Sequence, residues 1–342
     1  MTRSRACFLI LILFLTVSVS APAQDRASAA FDAGFQQYKD GRYAEAVESF
    51  KEVVRLRPTS HEGYYNLGIS YTGVKKYPEA IAALREAIRL KPDYYEPYVS
   101  LGNALDYSGQ RSEAIETYQK AIKINPARPD AYAEMGVVYN GAKLYDKALE
   151  SYQQALRLKP DYTLLQRNMG IAYHNLGRNQ EAVTAYKAAV SQNPSDYAAF
   201  LKLGDAYEDL KQHSDAMAAY NNAIRLKSDY GDAYFGLGNV YYNTARYEDA
   251  ATAYKQATHF DPEWSTAYYY LGDADKNLSR FQDAIAAYKE AIRLQPDNAD
   301  VHFSLGSLYV DQGDKESARK EYQALVDLKS SKAADLLAKI QK

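Results

Sequence analysis

The chain has 342 residues, a formal net charge of -2 at pH 7 and 25% charged residues. A balance this close to neutrality gives no bulk electrostatic basis for nucleic-acid binding. Hydrophobic residues make up 47% of the chain, which excludes a protein that is disordered throughout.

The N-terminal segment differs in character from the rest of the chain. Two arginines precede the apolar run ACFLILILFLTVSV, and the small-residue sequence APA follows at 21–23. This order is typical of a secretory signal peptide. Residues 1–23 are therefore predicted to be a signal peptide that is cleaved after Ala23, so that the protein is periplasmic or secreted.

A retained membrane anchor is the alternative for this segment. Its apolar run is shorter than the roughly 20 residues that a spanning helix needs, which favours cleavage and no stable membrane insertion afterwards. The single cysteine, Cys7, lies inside the segment, so the exported chain would contain no disulfide. Residues 24–26 form a short leader before the next region.

A glycine recurs every 34 residues through the remaining chain, which predicts a repeat protein. The nine glycines are Gly34, Gly68, Gly102, Gly136, Gly170, Gly204, Gly238, Gly272 and Gly306. An alanine follows each glycine twelve residues later, from Ala46 to Ala318, and a proline ends most copies. Each copy needs its neighbours to bury its apolar face, so the copies form one continuous array.

One copy, residues 129–162, shows how each unit is built. Tyr132, Gly136 and Tyr139 lie on one face of a first helix, and Ala148, Tyr152 and Ala155 lie on one face of a second. Proline at 160 ends the second helix, because the residue before a proline is disfavoured in helical geometry. The small glycine and alanine predict a close approach of the two helices, and the copy is therefore a helical hairpin.

The pattern Tyr234-x2-Leu237-Gly238-x2-Tyr241, followed by Ala250-x3-Tyr254 and Pro262, resembles the tetratricopeptide repeat. Tyrosine replaces the tryptophan and phenylalanine of that family in most copies. The resemblance implies an all-α fold, an α-solenoid of antiparallel helix pairs that form a right-handed superhelix.

The resemblance extends over residues 27–332. The predicted repeats are 27–60, 61–94, 95–128, 129–162, 163–196, 197–230, 231–264, 265–298 and 299–332. The tail, 333–342, reads as a capping helix that covers the last pair.

The sequence contains no motif of a common enzyme class. There is no P-loop, no G-x-S-x-G and no H-E-x-x-H, and the five histidines fall at different places in their repeats. A metal site needs ligands that converge on one point. The chain is therefore predicted not to be an enzyme and to have no catalytic, cofactor-binding or metal-binding residues.

The resemblance also implies that first helices line a concave groove with positions 2, 5, 6, 9, 12 and 13, counted from the start of each repeat. Acidic residues outnumber basic ones at these positions, and asparagines and extra tyrosines join them. The candidate partner-binding residues are Asp205, Glu208, Asp209, Asn239, Tyr242, Tyr269, Tyr270 and Asp273. The lysine and asparagine pattern with which some family members grip a terminal carboxylate is missing.

These features predict a protein-protein interaction scaffold that binds a protein or peptide, with basic segments, in an acidic groove lined by asparagine and tyrosine. Two alternatives stay open. The chain could be a structural or assembly component of an envelope complex. It could also position substrate for a separate enzyme such as a glycosyltransferase, since the asparagines partly resemble the substrate arm of the O-linked N-acetylglucosamine transferases.

Overall fold

The structure is a computed structural model that describes residues 21–342. The predicted signal peptide falls largely on residues outside the described part, so cleavage and export stay predictions. No helix among residues 21–342 combines the length and apolar character needed to cross a membrane. The chain divides into two compact units, one ending at Val138 and one spanning Tyr139–Lys342.

The described part of the chain contains nineteen α-helices and no strand, which confirms the predicted all-α solenoid. The first unit contains α1 (Ala21–Lys39), α2 (Tyr43–Leu56), α3 (His61–Gly73), α4 (Tyr77–Leu90), α5 (Tyr95–Tyr107) and α6 (Arg111–Ile124). The helix α7 (Asp130–Gly141) contains the division between the units. Residues 24–26, expected to be a leader, lie within α1.

The second unit continues with helix pairs and a final single helix. They are α8 (Tyr145–Leu158), α9 (Thr163–Asn175), α10 (Asn179–Gln192), α11 (Tyr197–Asp209), α12 (His213–Leu226), α13 (Gly231–Asn243), α14 (Tyr247–Phe260), α15 (Ser265–Asn277), α16 (Phe281–Leu294), α17 (Ala299–Asp311), α18 (Lys315–Asp327) and α19 (Lys332–Gln341). Odd-numbered helices up to α17 are the first helices of their repeats, and even-numbered helices are the second.

The turn between the two helices of a repeat depends on one residue with positive φ. In the third repeat this residue is Gly109, with a φ of 83°. Its N–H donates to the Asp106 carbonyl oxygen at 2.8 Å, and the Gln110 N–H donates to the Leu105 carbonyl oxygen at 2.8 Å. These two bonds satisfy carbonyl groups at the end of α5 and reverse the chain into α6.

The C-terminal helix α19 closes the second unit. Leu336 and Ile340 are buried, and Leu336 lies against Gly306 of α17. In the four preceding repeats of this unit a tyrosine ring from the second helix lies against the equivalent glycine. Helix α19 therefore supplies the apolar contact that the last repeat would otherwise lack.

His302 of α17 stands at the fourth position of its repeat, where most copies carry an aromatic ring. Its Nε2 lies 3.0 Å from the Pro296 carbonyl oxygen, and its Nδ1 lies 2.6 Å from Glu321 Oε2. A carbonyl and a carboxylate oxygen only accept hydrogen bonds, so the doubly protonated ring satisfies both. The hydrogen bond to Glu321, with a smaller contribution from Pro296, raises the pKa of His302 although burial opposes the charge.

This raised pKa predicts a pH-dependent stability. The His302 contribution is fully present below the unfolded-state pKa and is lost as the pH rises through the higher folded-state pKa. We expect His302→Tyr to remove this pH dependence while keeping a hydrogen bond to Pro296. Tyr98 occupies the same repeat position and donates to the equivalent carbonyl oxygen, that of Pro92, at 3.0 Å. Urea unfolding of both proteins from about pH 5.5 to about pH 8.5 tests this. Parallel pH profiles for the two proteins would contradict it.

Candidate protein-binding surface

All eight candidate residues lie on first helices of the second unit, where successive first helices approach each other. Helix α11 packs against both α9 and α13. Side chains at the same repeat positions therefore form rows across neighbouring helices. We call the surface formed by positions 5, 6, 9, 12 and 13 of α9, α11, α13, α15 and α17 the first-helix face.

A row of hydrogen bonds joins neighbouring helices across this face. Each bond runs from position 12 of one first helix to position 13 of the next. The pairs are His174 Nε2 with Asp209 Oδ2 at 2.8 Å, Glu208 Oε1 with Asn243 Nδ2 at 2.8 Å, and the Tyr242 hydroxyl with Asn277 Nδ2 at 3.3 Å. Three candidate residues, Glu208, Asp209 and Tyr242, are thus held in place before any partner arrives.

The candidates at position 9 are held from the other side, by core tyrosines of their own repeats. The Tyr220 hydroxyl donates to Asp205 at 3.0 Å, the Tyr254 hydroxyl donates to Asn239 at 2.8 Å, and the Tyr288 hydroxyl donates to Asp273 at 2.6 Å. Asp205 also receives a bond from Lys202 Nζ at 2.9 Å. These three candidates therefore stabilise the fold as well as contributing to the surface.

The negative charge of this surface is offset by neighbouring basic side chains to a greater extent than the sequence indicates. The Glu208 carboxylate lies 2.8 Å from His213 Nδ1, and its side chain is only 15% exposed. Asp273 is 9% exposed and lies 3.7 Å from Lys276 Nζ. The Asp209 side chain is 50% exposed, so Asp209 is the most exposed of the candidate acids.

An aromatic cluster formed by Phe235, Tyr242, Trp264, Tyr269 and Tyr270 adjoins these polar rows. The ring of Tyr270 lies 5.2 Å from that of Tyr269, 5.7 Å from Phe235 and 6.4 Å from Tyr242, measured between centroids. The indole of Trp264 lies 4.5 Å from the Phe235 ring. Burial raises the pKa of Tyr269 to about 12, so its hydroxyl stays protonated at neutral pH. The structure thus brings the three candidate tyrosines together.

Trp264 is the member of this cluster that the sequence argument missed. It occupies the last position of its repeat, outside the positions assigned to the groove. A signal was present, because Tyr94, Tyr162 and Tyr230 occupy the same position in other repeats. An aromatic side chain at this position packs against a ring of a first helix, as Tyr94 packs against Tyr65 at 5.5 Å.

Within residues 21–342 no cluster of three or more histidine, cysteine or acidic side chains is arranged to hold a metal ion. The surface instead offers apolar ring edges, amide groups and one well-exposed carboxylate. Chemically this combination can bury an apolar side chain and hydrogen-bond a polypeptide backbone.

Comparison with protein families gives the same repeat over most of the chain. Models described as tetratricopeptide repeat match residues 167–231, 269–333, 61–94 and 207–272, and a model described as TPR repeat matches residues 36–73, 107–141 and 144–177. None of the curated proteins matches the chain.

A solved structure of a TPR repeat-containing protein shows the same fold over most of the chain. The C-terminal part of a TPR repeat-containing protein from Cytophaga hutchinsonii aligns over 70% of this chain and 99% of its own, with a TM-score of 0.59 and 21% identity. The crystal structure of MamA aligns over 50% of this chain and 93% of its own, with a TM-score of 0.45 and 28% identity.

Proposed function

The chain belongs to the tetratricopeptide repeat family, and we propose that it is a non-catalytic scaffold that binds a segment of a partner protein on its first-helix face. The observation that carries this proposal is the aromatic cluster, whose half-buried rings adjoin the hydrogen-bonded polar rows. Amphipathic aromatic side chains are favoured anchors at interfaces because they combine apolar area with a polar edge.

The partner segment would use both parts of this surface. An apolar side chain would pack against Tyr242, Tyr269 and Tyr270, which are already fixed by their neighbours and lose little freedom on binding. Amide groups such as that of Asn239 would hydrogen-bond the backbone of the segment. A lysine or arginine of the segment would pair with Asp209, whose carboxylate is the most exposed of the candidate acids.

We also propose that this binding takes place outside the cytoplasm, because residues 1–23 have the order of a signal peptide. N-terminal sequencing of the exported protein is the direct check, with Gln24 expected as the first residue.

Asp209→Lys is expected to weaken the partner complex about tenfold at low salt, because it reverses the charge that meets a basic segment. The matched control is Glu150→Lys, which makes the same charge change at an exposed site on α8. A partner retained by the wild-type protein from matched extract would be reduced to its binding segment. Its dissociation constant would then be measured for all three proteins, after a check of equal helicity.

Measuring these dissociation constants at several salt concentrations separates the contribution of charge from that of the aromatic cluster. Wild-type affinity should fall as the ionic strength rises, because exposed charges are screened. Tyr242→Ala should weaken binding at every salt concentration. If Asp209→Lys and Glu150→Lys bind equally well, the charge argument is wrong. If Tyr242→Ala also binds normally, the first-helix face is not the binding site. Self-association of the protein would then favour the assembly alternative.

A further inference from the structure

A cavity of about 560 Å³ opens in the second unit, between the second helices α14 and α16. Helix α15 forms its floor with Tyr268, Leu271 and Asp275, and α14 and α16 form the walls with alanines, threonines and charged side chains. The volume lies in the range of about 300–1,000 Å³ that is typical of ligand pockets. None of the eight candidate residues lines it.

The cavity coincides with a departure from the repeat. Position 11 of the first helix is a tyrosine in the other copies of the second unit. These tyrosines are Tyr173, Tyr207, Tyr241 and Tyr309. In the eighth repeat the residue is Asp275, which is 7% exposed. The cavity thus lies where a phenol ring is replaced by a much shorter carboxylate.

Cations cover the position-11 ring in the neighbouring repeats. Measured to the ring centroid, Arg178 covers Tyr173 at 4.7 Å, Arg246 covers Tyr241 at 4.4 Å, Lys187 covers Tyr207 at 5.3 Å and Lys289 covers Tyr309 at 6.0 Å. Around Asp275, Arg280 holds the equivalent place of the two arginines, and Lys255 of the preceding repeat holds that of the two lysines. Both line the cavity, so two cations that cover a ring elsewhere face an open space here.

The carboxylate at the floor of the cavity has no hydrogen-bond donor among the described residues. Its nearest cation is Arg280, whose Nη1 lies 3.8 Å from Asp275 Oδ1, beyond hydrogen-bond range. Arg280 is also bound to Glu248, with Nη2 to Oε2 at 2.5 Å. Burial raises the pKa of Asp275, because the charged form is poorly solvated there. A guest that donates a hydrogen bond would satisfy this buried group.

We propose that this cavity binds the tyrosine side chain of a partner protein. The phenol ring would enter from solvent, lie against the Arg280 guanidinium and donate its hydroxyl hydrogen to the Asp275 carboxylate. The positive charges of Lys255 and Arg280 attract the face of an aromatic ring, although the lining also contains the acidic residues Glu248, Asp283 and Glu290. A guest without a donor would leave Asp275 desolvated and unsatisfied.

Titration of the purified protein with p-cresol, the side-chain analogue of tyrosine, tests this proposal. We expect saturable binding that is at least about tenfold tighter than that of toluene, which has the same ring and no hydroxyl. Chemical shifts followed by NMR would report both ligands. Absence of saturable p-cresol binding, or equal affinity for toluene, would overturn the proposal.

Asp275→Tyr locates the site, because it restores the tyrosine of the other repeats and occupies the floor of the cavity. We expect p-cresol to bind this variant at least about tenfold more weakly and the melting temperature to rise. The matched control is Asp215→Tyr, which adds the same ring at an exposed site on α12 and should bind p-cresol like the wild type. Unchanged binding by Asp275→Tyr would overturn the proposal.

A second variant, Asp275→Leu, tests the proposal independently in case Asp275→Tyr does not fold. Asp275→Leu places an apolar side chain at the floor and removes the carboxylate, so the site should lose its preference for p-cresol over toluene. A preference that persists in Asp275→Leu would also overturn the proposal. Asp209→Lys should leave p-cresol binding unchanged, so this inference and the proposed function of the first-helix face can fail separately.

Discussion

Gly238→Ala is expected to lower the free energy of unfolding by about 1–3 kcal/mol, as overpacked interiors do. A Cβ atom at Gly238 would lie 2.6 Å from Cε1 of Tyr254, well inside normal contact. The Tyr254 ring cannot move away cheaply, because it is fully buried and its hydroxyl donates to Asn239 at 2.8 Å. The gain of up to about 1 kcal/mol in helix propensity is smaller than this clash.

Gly231→Ala is the matched control, since it makes the same substitution in the same helix. A Cβ atom at Gly231 would meet the Ala257 carbonyl oxygen at 3.5 Å and Phe260 Cβ at 3.6 Å, which are ordinary contacts. Its stability should stay within about 0.5 kcal/mol of the wild type. Urea midpoints of the three proteins give the comparison. Equal midpoints for Gly238→Ala and Gly231→Ala would show that the close contact between Gly238 and Tyr254 does not affect the free energy of unfolding.

The close approach at Gly238 was predictable from the sequence, but the cost of filling it was not. The 34-residue period fixes which positions share a helix face and predicts a small residue where two helices meet. It does not say which ring faces the glycine or how tightly that ring is held. Those depend on side-chain rotamers and on hydrogen bonds such as that from Tyr254 to Asn239.

The same limit applies to the candidate surface. The sequence assigned Asp205 and Asp273 to a binding face by their repeat positions, and the structure shows core tyrosines bonded to both. Counting charges by position cannot reveal which carboxylates are already paired inside the fold. The cavity at Asp275 was not predicted from the sequence for a related reason. The replacement of one tyrosine indicates a cavity only when the positions of the neighbouring cations around it are known.

Tyr288→Phe is expected to destabilise the protein by about 1–3 kcal/mol, the range for leaving a buried polar group without its partner. The Tyr288 hydroxyl donates to Asp273 Oδ1 at 2.6 Å, and both side chains are buried. Burial and the Asp273 carboxylate raise the pKa of Tyr288, so the hydroxyl stays protonated and able to donate. Without it, Asp273 keeps the more distant Lys276, whose Nζ lies at 3.7 Å, and a weaker interaction with the Tyr269 hydroxyl.

Tyr186→Phe tests whether the hydrogen bond, and not the loss of any buried hydroxyl, causes this effect. Tyr186 occupies the same repeat position as Tyr288, but the residue opposite it is Ile171, which offers no side-chain acceptor. Its buried hydroxyl has no hydrogen-bond partner among the described residues. Removing it should therefore be neutral or slightly stabilising. Thermal unfolding of both variants decides the matter: if Tyr288→Phe costs no more than Tyr186→Phe, Asp273 does not depend on its tyrosine. Asp273 would then be a stronger candidate for direct contact with a partner.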